Sequence, residues 1–353
     1  MFVQRTFFQL SIVLIFSISC VSNKDINLLS ASDSANCLDL VYSDLTLKFA
    51  LSDQQIKGSN KMYFNSICLT DTIVIDLFNN FNVDSVRLNN NKVKFYRKHD
   101  VIQIVNEIVD NSLLLVEVFY HGCPNIAKNP PWDGGVVWSR DSENLDWVGV
   151  ACQKESGSLW FPSKHDLSDE PDSMRIQVAV RYPLKVISNG DLRSDTTVWN
   201  QYFNSWMTVS EWFVSYPINN YNVTLNIGDY GYFSDNYISD NDTLRLDYYV
   251  LNDNMEKAKT HFEQVKPMMK CFERYFGVFH DERTAFQKVI SVHPVGFDLL
   301  VKTFIRPVEC GLVCRGRHDQ CHLKLLNELL FMLQGFCERL GVFGVSCDFE
   351  FDA

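Results

Sequence analysis

The sequence is short of positive charge. Among its 353 residues, 32 are Lys or Arg and 43 are Asp or Glu, which gives a formal net charge of −11. A chain with this balance repels the phosphate backbone of DNA and RNA, so nucleic acid is excluded as a partner. With 46% hydrophobic and 21% charged residues, the chain is otherwise an ordinary globular protein that can bury a sizeable core.

Helical periodicity is lacking over most of the chain. From Leu40 to Val250 apolar and polar residues alternate instead, most clearly in LTLKFAL, TIVIDLF and LLLVEVFY. Turn residues separate such runs, as at Asn89–Asn91 and Ser188–Gly190. Short strands without intervening helices predict a mainly β fold, built as a large antiparallel β-sandwich.

The eleven cysteines lack the spacing of a disulfide framework. Four lie in the β-rich region, at Cys37, Cys68, Cys123 and Cys152, and five fall within the last 44 residues. In an oxidising compartment Cys37 could pair with Cys68, or Cys123 with Cys152. The sequence alone leaves this connectivity open.

Long apolar runs are scarce, and the informative one is at the N-terminus. After MFVQR, the run TFFQLSIVLIFSIS leads to Cys20. This is the length of a secretory signal peptide and short for a membrane-spanning helix. We therefore expect residues 1–20 to be a signal peptide and the protein to be exported, to the cell envelope or beyond it.

Ser17–Cys20 also resembles a bacterial lipoprotein cleavage site. Cys20 is therefore a lipidation candidate that would anchor the protein to a membrane, and the alternative is a plain signal peptide. Residues 21–37 are polar and rich in Ser, Asn and Asp, which is typical of a tether.

One stretch is too polar for a core and too aromatic for an ordinary loop. It runs over Trp147–Pro171, WVGVACQKESGSLWFPSKHDLSDEP. Just before it, the prolines and glycines of NPPWDGG fix an unusual backbone path. Candidate walls of a binding cleft are therefore Trp132, Asp133, Gly134 and Gly135. The alternative is a long surface connection. Four nearby acids are expected to cap backbone amides in turns rather than to catalyse: Asp166, Asp169, Glu170 and Asp172.

The character of the sequence changes near residue 240. A strand-like run, LRLDYYVL, is followed from Asn252 by apolar residues at helical steps that stop at Gly277. Pro267 is expected to kink or divide this helix. We divide the chain into a β-domain over 38–238, a strand and helix over 239–277, and an irregular helical tail over 278–353.

Six motifs occur in the order known from one family: NPPWDGG, ACQ, LWFP, SDEPDSM, ISNG and YPINNYNVTLNIGDY. From about Asp44 to about Gly277 the chain resembles the N-terminal β-domain of the aminopeptidase N family of zinc metallopeptidases, in the form common in secreted bacterial members. The resemblance implies a saddle-shaped β-domain, with 239–277 as the start of an α+β catalytic domain. It implies peptide N-termini as partners once a catalytic domain is supplied.

One site residue follows from this resemblance. In the family, a Gln or Glu nine residues before a Pro contacts the free α-amino group of the peptide, and Gln153 and Pro162 keep that spacing. The resemblance therefore implies that Gln153 binds substrate, since an amide oxygen can accept from an ammonium group. The alternative is a loop glutamine that bonds local backbone.

The zinc motifs of the family are missing. Neither Gly-x-Met-Glu-Asn nor His-Glu-x-x-His occurs in this sequence, although the chemistry of the family needs their ligands and general base. We expect no catalytic residue, metal site or cofactor in this chain, with zinc confined to the full-length family. The expected function is that of a truncated N-terminal portion of an exported zinc aminopeptidase, inactive alone, with a frame-disrupted or divergent tail.

Two further hypotheses stay open on the sequence. The first is a structural zinc site in the tail, built from side chains with suitable atoms but irregular spacing: Cys310, Cys314, His318, Cys321 and His322. The second is a non-catalytic exported β-sandwich that binds peptides or a partner protein through a tryptophan surface: Trp132, Trp138, Trp147 and Trp160.

Overall fold

The computed structural model describes residues 37–108, 112–128, 134–152, 156–164, 166, 169–201, 204–238, 243–276, 288–292 and 299–303. Within them the protein is mainly β, as the sequence predicts. In chain order the strands are β1 (Leu38–Ala50), β2 (Gln55–Ser66), β3 (Thr70–Asp76), β4 (Phe81–Leu88), β5 (Asn91–Val93), β6 (Tyr96–Lys98), β7 (Val101–Ile108), β8 (Leu113–Gly122), β9 (Gly135–Arg140), β10 (Asp146–Ala151), β11 (Ser173–Arg181), β12 (Lys185–Ser188), β13 (Asp191–Asn200), β14 (Ser205–Val214), β15 (Leu225–Gly228), β16 (Tyr230–Ile238), β17 (Thr243–Leu251), β18 (Lys288–Val292) and β19 (Leu299–Thr303). Between β17 and β18 lie the helices α1 (Met255–Phe262) and α2 (Val265–Phe276).

Three sheets build the sandwich. The largest is eight-stranded, in the order β13-β14-β11-β1-β2-β8-β4-β5. The others are a four-stranded sheet, β12-β15-β10-β9, and a three-stranded sheet, β3-β7-β6. Buried side chains from all three sheets join in one continuous hydrophobic core, so the three sheets form a single packed unit.

The alternating pattern read from the sequence is confirmed in β1. Leu45, Leu47 and Phe49 are buried, whereas Thr46 and Lys48 between them are partly exposed. Successive side chains of a strand point to opposite faces, so the apolar set faces the core. Each such buried side chain stabilises the fold by about 1.5–3 kcal/mol.

Both predicted turns are confirmed by their backbone. Asn89 and Asn90 have φ angles of 49° and 67°, and Gly190 has a φ of 82°. Asn and Gly are the residues that adopt this left-handed region most readily. At Gly190 space is also decisive, because a Cβ there would lie 2.1 Å from the carbonyl oxygen of Phe213.

One pair of strands departs from the expected antiparallel pattern. β1 and β11 run parallel, with Tyr42 opposite Ser173 and Lys48 opposite Ala179. The remaining pairs described in this sheet are antiparallel. Parallel neighbours need a long crossover connection, and here everything from β2 to β10 lies within it.

A second packed unit follows the sandwich. β16 and β17 form a two-stranded sheet, and α1 packs on it through Phe262, whose ring stacks on Tyr248 at 4.8 Å between centroids. Met269 of α2 is fully buried in the same cluster. Tyr237 of β16 belongs to it as well, so β16 shares the core of the helices.

The predicted long helix is divided in two. α1 ends at Phe262 and α2 begins at Val265, so the break precedes Pro267. Pro267 is the third residue of α2, a first-turn position where the missing N–H loses no helical hydrogen bond. In the tail, β18 and β19 pair antiparallel, where the sequence pattern predicted irregular helical structure.

A disulfide joins Cys37 to Cys68 and fixes the start of β1 to the loop after β2. Cys123 is exposed and Cys152 is buried, and both are free thiols. Of the two pairings left open by the sequence, the first is confirmed and the second is wrong. In the described part of the chain, no helix is long and apolar enough to cross a membrane.

Candidate functional site

The structure describes part of the predicted site. Gln153, Trp132 and Asp133 lie outside the described residues, as does Cys20. Gly134 and Gly135 lie inside them, at the start of β9. The roles assigned to Gln153, the cleft wall and Cys20 therefore stay predictions.

Gly135 has the unusual backbone that NPPWDGG predicts. Its φ is 155°, and a Cβ at this position would lie 2.5 Å from the amide nitrogen of Ala127 and 2.6 Å from the carbonyl oxygen of Asn125. The next amide, that of Val136, donates to the same Asn125 carbonyl at 2.7 Å. Two chain segments therefore approach so closely that only glycine fits.

The aromatic part of the Trp147–Pro171 stretch is core. Trp160 is fully buried, its ring lies 4.8 Å from that of Phe161, and its carbonyl accepts a 2.8 Å hydrogen bond from the hydroxyl of Tyr120. Burial raises the pKa of Tyr120 well above its usual value, which keeps that hydroxyl a donor. Two backbone hydrogen bonds between Ser163 and Asp76 fix the residues after Trp160 beside the end of β3.

The proposed tryptophan surface is wrong for two of its members. Trp160 is inaccessible, and Trp147 is 5% exposed, with its indole N–H donating to the hydroxyl of Tyr230 at 2.9 Å. Trp138 is partly buried and packs 6.1 Å from Phe49. Trp132 lies outside the described residues. The tryptophan-surface hypothesis places these large aromatic side chains outside because polar residues lie next to them in the sequence. In the structure, Trp160 and Trp147 are buried in the sandwich.

The described residues on either side of positions 153–155 contact the same turn. On one side, the buried thiol of Cys152 donates to the carbonyl of Tyr221 at 3.1 Å. On the other side, the amide of Gly157 donates to the side-chain oxygen of Asn220 at 3.5 Å. Both ends therefore rest on the same turn, Asn219–Val223.

Ser156 stores backbone strain at the end of this segment. Its φ is 68°, which is uncommon for a residue other than glycine. Its Oγ accepts from the amide of Ser158 at 3.2 Å and lies 3.0 Å from the hydroxyl of the same residue. Strained residues of this kind cluster at binding and catalytic sites, so Ser156 marks the segment as a functional candidate.

A buried ion pair fixes the far end of the stretch. The ammonium of Lys164 contacts the carboxylate of Asp169, and both side chains are less than a tenth exposed. Lys164 also donates to the carbonyl of Leu38 at 2.5 Å, while the second oxygen of Asp169 accepts from the amide of Leu40 at 3.0 Å. Asp169 therefore does bind a backbone amide, but the amide belongs to β1 and not to the turn that the sequence predicts.

Beneath the pair lies a cavity of about 20 Å³, lined partly by Lys164, Asp169, Asn60 and Asn220, which is room for one water molecule. Asn60 donates to the carbonyl of Pro162 at 2.8 Å and accepts from the hydroxyl of Ser43 at 2.8 Å. The side-chain amide of Asn220 donates to the carbonyl of Lys164. The stretch is therefore attached to β1, β2 and the 219–223 turn.

Lys164, Asn60 and Asn220 are not among the site residues that the sequence predicts. For Lys164 a signal existed, because a lysine two residues after the apolar run LWFP needs an anionic partner if that part of the chain is buried. Asp169, five residues later, supplies it. For Asn60 and Asn220 nothing local distinguishes them from other polar residues of strands and turns.

No protein-family model matches the chain, and no curated protein matches it. Solved structures do match. A mutant two-domain M1 zinc metallopeptidase bound to L-arginine aligns with a TM-score of 0.57 and 15% identity over 73% of this chain. The M1 zinc metallopeptidase from Deinococcus radiodurans aligns with a TM-score of 0.56, and a mutant of it bound to a Tyr-Ser-Ala substrate with 0.57, both at 15% identity over 73% of this chain. The chain has a fold of the M1 zinc metallopeptidases.

The M1 likeness is partial in length. The chain spans 57% of the length of each of these structures. At this identity the comparison establishes the fold, and it agrees with the resemblance found in the motifs between Asp44 and Gly277.

The described residues do not fit the zinc ion of the M1 enzymes. No three His, Cys, Asp or Glu side chains in the described part of the chain lie close enough together to hold a metal ion. The tail cluster from Cys310 to His322 lies outside the described residues and stays a prediction. No catalytic step through zinc can therefore be assigned to the side chains described above.

Proposed function

We propose that this chain is the peptide-recognition portion of an exported zinc aminopeptidase of the M1 type, in which Gln153 receives the free α-amino group of a peptide. The observation that carries the proposal is that Cys152 and Gly157, which lie on either side of Gln153, both bind the turn Asn219–Val223. The M1 fold and the order of the sequence motifs support it.

The chemistry assigned to Gln153 is simple. A peptide N-terminus is an ammonium group that needs hydrogen-bond acceptors, and the amide oxygen of Gln supplies one without bringing a charge of its own. A rigid support improves such a contact, because less freedom is lost when the peptide binds. The neighbouring Cys152 and Ser156 are both buried, which provides that support.

The proposal also covers where the protein is located and what it binds. The signal-like run before Cys20 supports export, and the lipoprotein-like Ser17–Cys20 supports lipid attachment. Peptide N-termini are the proposed ligands. Zinc and its general base would belong to a catalytic domain that supplies Gly-x-Met-Glu-Asn and His-Glu-x-x-His, since neither motif occurs in this sequence.

Gln153→Ala should weaken peptide binding about tenfold or more, which is the typical effect of losing a hydrogen bond to a charged group. The measurement is the fluorescence anisotropy of a C-terminally labelled Tyr-Ser-Ala tripeptide. Gln55→Ala, on the exposed end of β2, is the matched control and should bind like wild type. Equal affinity for the free and the N-acetylated tripeptide would contradict the role of Gln153.

The chain as given should not hydrolyse peptides even when zinc is added. Lowering the pKa of a bound water to about 7 and polarising the carbonyl need a metal site, and the described residues offer none. The assay is cleavage of an aminoacyl-nitroanilide with zinc, in wild type and in His318→Ala. Chelator-sensitive turnover that disappears in His318→Ala would show instead that the tail is a catalytic zinc site.

A further inference from the structure

β13 is an exposed edge strand. It lies at the end of the eight-stranded sheet, where β14 is its one neighbour among the described strands, and its side chains from Asp191 to Trp199 are exposed. Edge strands are usually protected by charges or bulges, and its first half has both, with Arg193 and Asp195 around a bulge between Leu192 and Ser194. The second half, Thr196–Trp199, has neither and is rich in residues that favour β-structure.

An aromatic patch lies at the bare end of this strand. Trp199 and Trp206 face each other across β13 and β14, with ring centroids 5.5 Å apart at 71°. They are 46% and 52% exposed, and Tyr182, whose amide donates to the carbonyl of Trp206, is 53% exposed. Exposed aromatic side chains grouped in this way are typical of binding surfaces.

A carboxylate lies on the same face of the strand. Asp195 is opposite Ser210, whose hydroxyl donates to it at 2.8 Å, and no basic side chain in the described ranges forms an ion pair with it. Asp191, by comparison, lies 3.6 Å from the guanidinium of Arg193. Asp195 is therefore an exposed anion available to a cationic group from outside.

Tyrosines of the next sheet border this face. Tyr249 packs 5.6 Å from Trp212 of β14 and 5.1 Å from Tyr232. Burial, with smaller contributions from Asp247 and Asp195 among its neighbours, raises the pKa of Tyr249 to about 12. Aromatic side chains of β16 and β17 therefore border the β14 face that carries Trp212.

The spacing of these groups defines a ligand. Asp195 and Trp199 are four residues apart on one face of the strand, or about 13 Å at ~3.3 Å per residue. An incoming antiparallel strand would place an aromatic side chain opposite Trp199 and, four residues later, a lysine opposite Asp195. Aromatic pairs and opposite charges are the cross-strand pairs that stabilise sheets.

We propose that the outer edge of β13 binds an extended peptide segment as an added strand, with an aromatic residue on the Trp199–Trp206 pair and a basic residue four positions later on Asp195. Backbone hydrogen bonds along Thr196–Trp199 supply affinity, and the two side-chain positions supply selectivity. The surface is independent of Gln153, because it needs no free α-amino group.

A second copy of the chain fits this edge poorly. An antiparallel copy that brings Arg193 opposite Asp195 must centre on Ser194, where the bulge interrupts the strand. A copy centred on Thr197 instead places the Asp195 carboxylate opposite the Trp199 indole, so it leaves the charge without a partner. The negative net charge of −11 also favours a basic ligand over self-association.

The probe is the labelled peptide acetyl-Thr-Tyr-Thr-Val-Thr-Lys-Thr-amide, which carries the tyrosine and lysine four residues apart. Its acetyl group removes the α-amine, so failure here and failure of the proposed function are distinguishable. We expect Trp206→Ala to weaken binding about tenfold and Asp195→Asn about fivefold, in line with typical cross-strand and hot-spot effects. Replacing lysine with glutamate in the probe should weaken binding more than Asp195→Asn does, because it places a like charge opposite the Asp195 carboxylate.

Two matched controls separate this surface from general effects. Asp191→Asn removes a carboxylate of the same strand that is already paired with Arg193, and Tyr96→Ala removes an exposed aromatic from β6 in a different sheet. Both should bind the probe like wild type. Absence of probe binding, or binding unchanged in both Trp206→Ala and Asp195→Asn, would overturn the proposal. So would concentration-dependent dimers that are lost in Trp206→Ala, since these would assign the edge to a second copy.

Discussion

Asp169→Ala should lower the free energy of unfolding by about 3–5 kcal/mol, the range found when one member of a buried ion pair is removed. The substitution leaves the Lys164 ammonium, which is almost inaccessible, with the Leu38 carbonyl but no counter-charge. It also removes the acceptor of the Leu40 amide. Urea denaturation followed by circular dichroism measures the loss.

The double variant Lys164→Met/Asp169→Asn tests the cause. It removes both charges but keeps a side-chain oxygen for the Leu40 amide, so most of the lost stability should return. Asp172→Ala, at an exposed position of the same acidic cluster, should change stability by less than ~0.5 kcal/mol. A loss below about 1 kcal/mol in Asp169→Ala would show that the ion pair does not anchor the stretch.

Replacing both Cys37 and Cys68 by Ser should lower the free energy of unfolding by about 3–4 kcal/mol, because the disulfide closes a loop with a sequence separation of 31 and so restricts the unfolded chain. The effect should appear as a lower urea midpoint. Adding dithiothreitol to the wild type should produce a similar shift.

The exposed free thiol of Cys123 provides the control. Cys123→Ser should unfold like wild type, with or without the reducing agent. If the Cys37/Cys68 double variant were as stable as wild type, the bridge would contribute no restriction to the unfolded state. If Cys123→Ser alone reproduced the loss, the pairing described here would be incorrect.

Local patterns predicted the strands well. In β1 the alternation of Leu45, Leu47 and Phe49 with polar residues is visible in the sequence, because successive side chains of a strand point to opposite faces of the sheet. The turns at Asn89 and Gly190 can also be predicted from the sequence, because their positive φ angles restrict which residues fit there. These features depend on a few neighbouring residues, which a single sequence contains.

Features that depend on distant partners could not be read in this way. The hypothesis of a tryptophan surface places Trp160 outside because its neighbours are polar, while the hydroxyl that satisfies its carbonyl belongs to Tyr120, 40 residues earlier. The same holds for Lys164 and the Leu38 carbonyl, 126 residues apart. The disulfide between Cys37 and Cys68 and the parallel pairing of β1 with β11 also join residues that are far apart in the sequence, and no local pattern predicts them.

The parallel pairing of β1 with β11 sets an order of events during synthesis. Asp44 lies opposite Arg175, which follows it by 131 residues. At ~5–20 residues per second, the ribosome needs roughly 7–26 seconds to make that interval. Until then the β1–β2 hairpin has one edge without its final neighbour, an arrangement that is slow to complete and open to wrong pairing. In an exported protein, which we propose this to be, such a delay would leave the central sheet open while the chain is still being made.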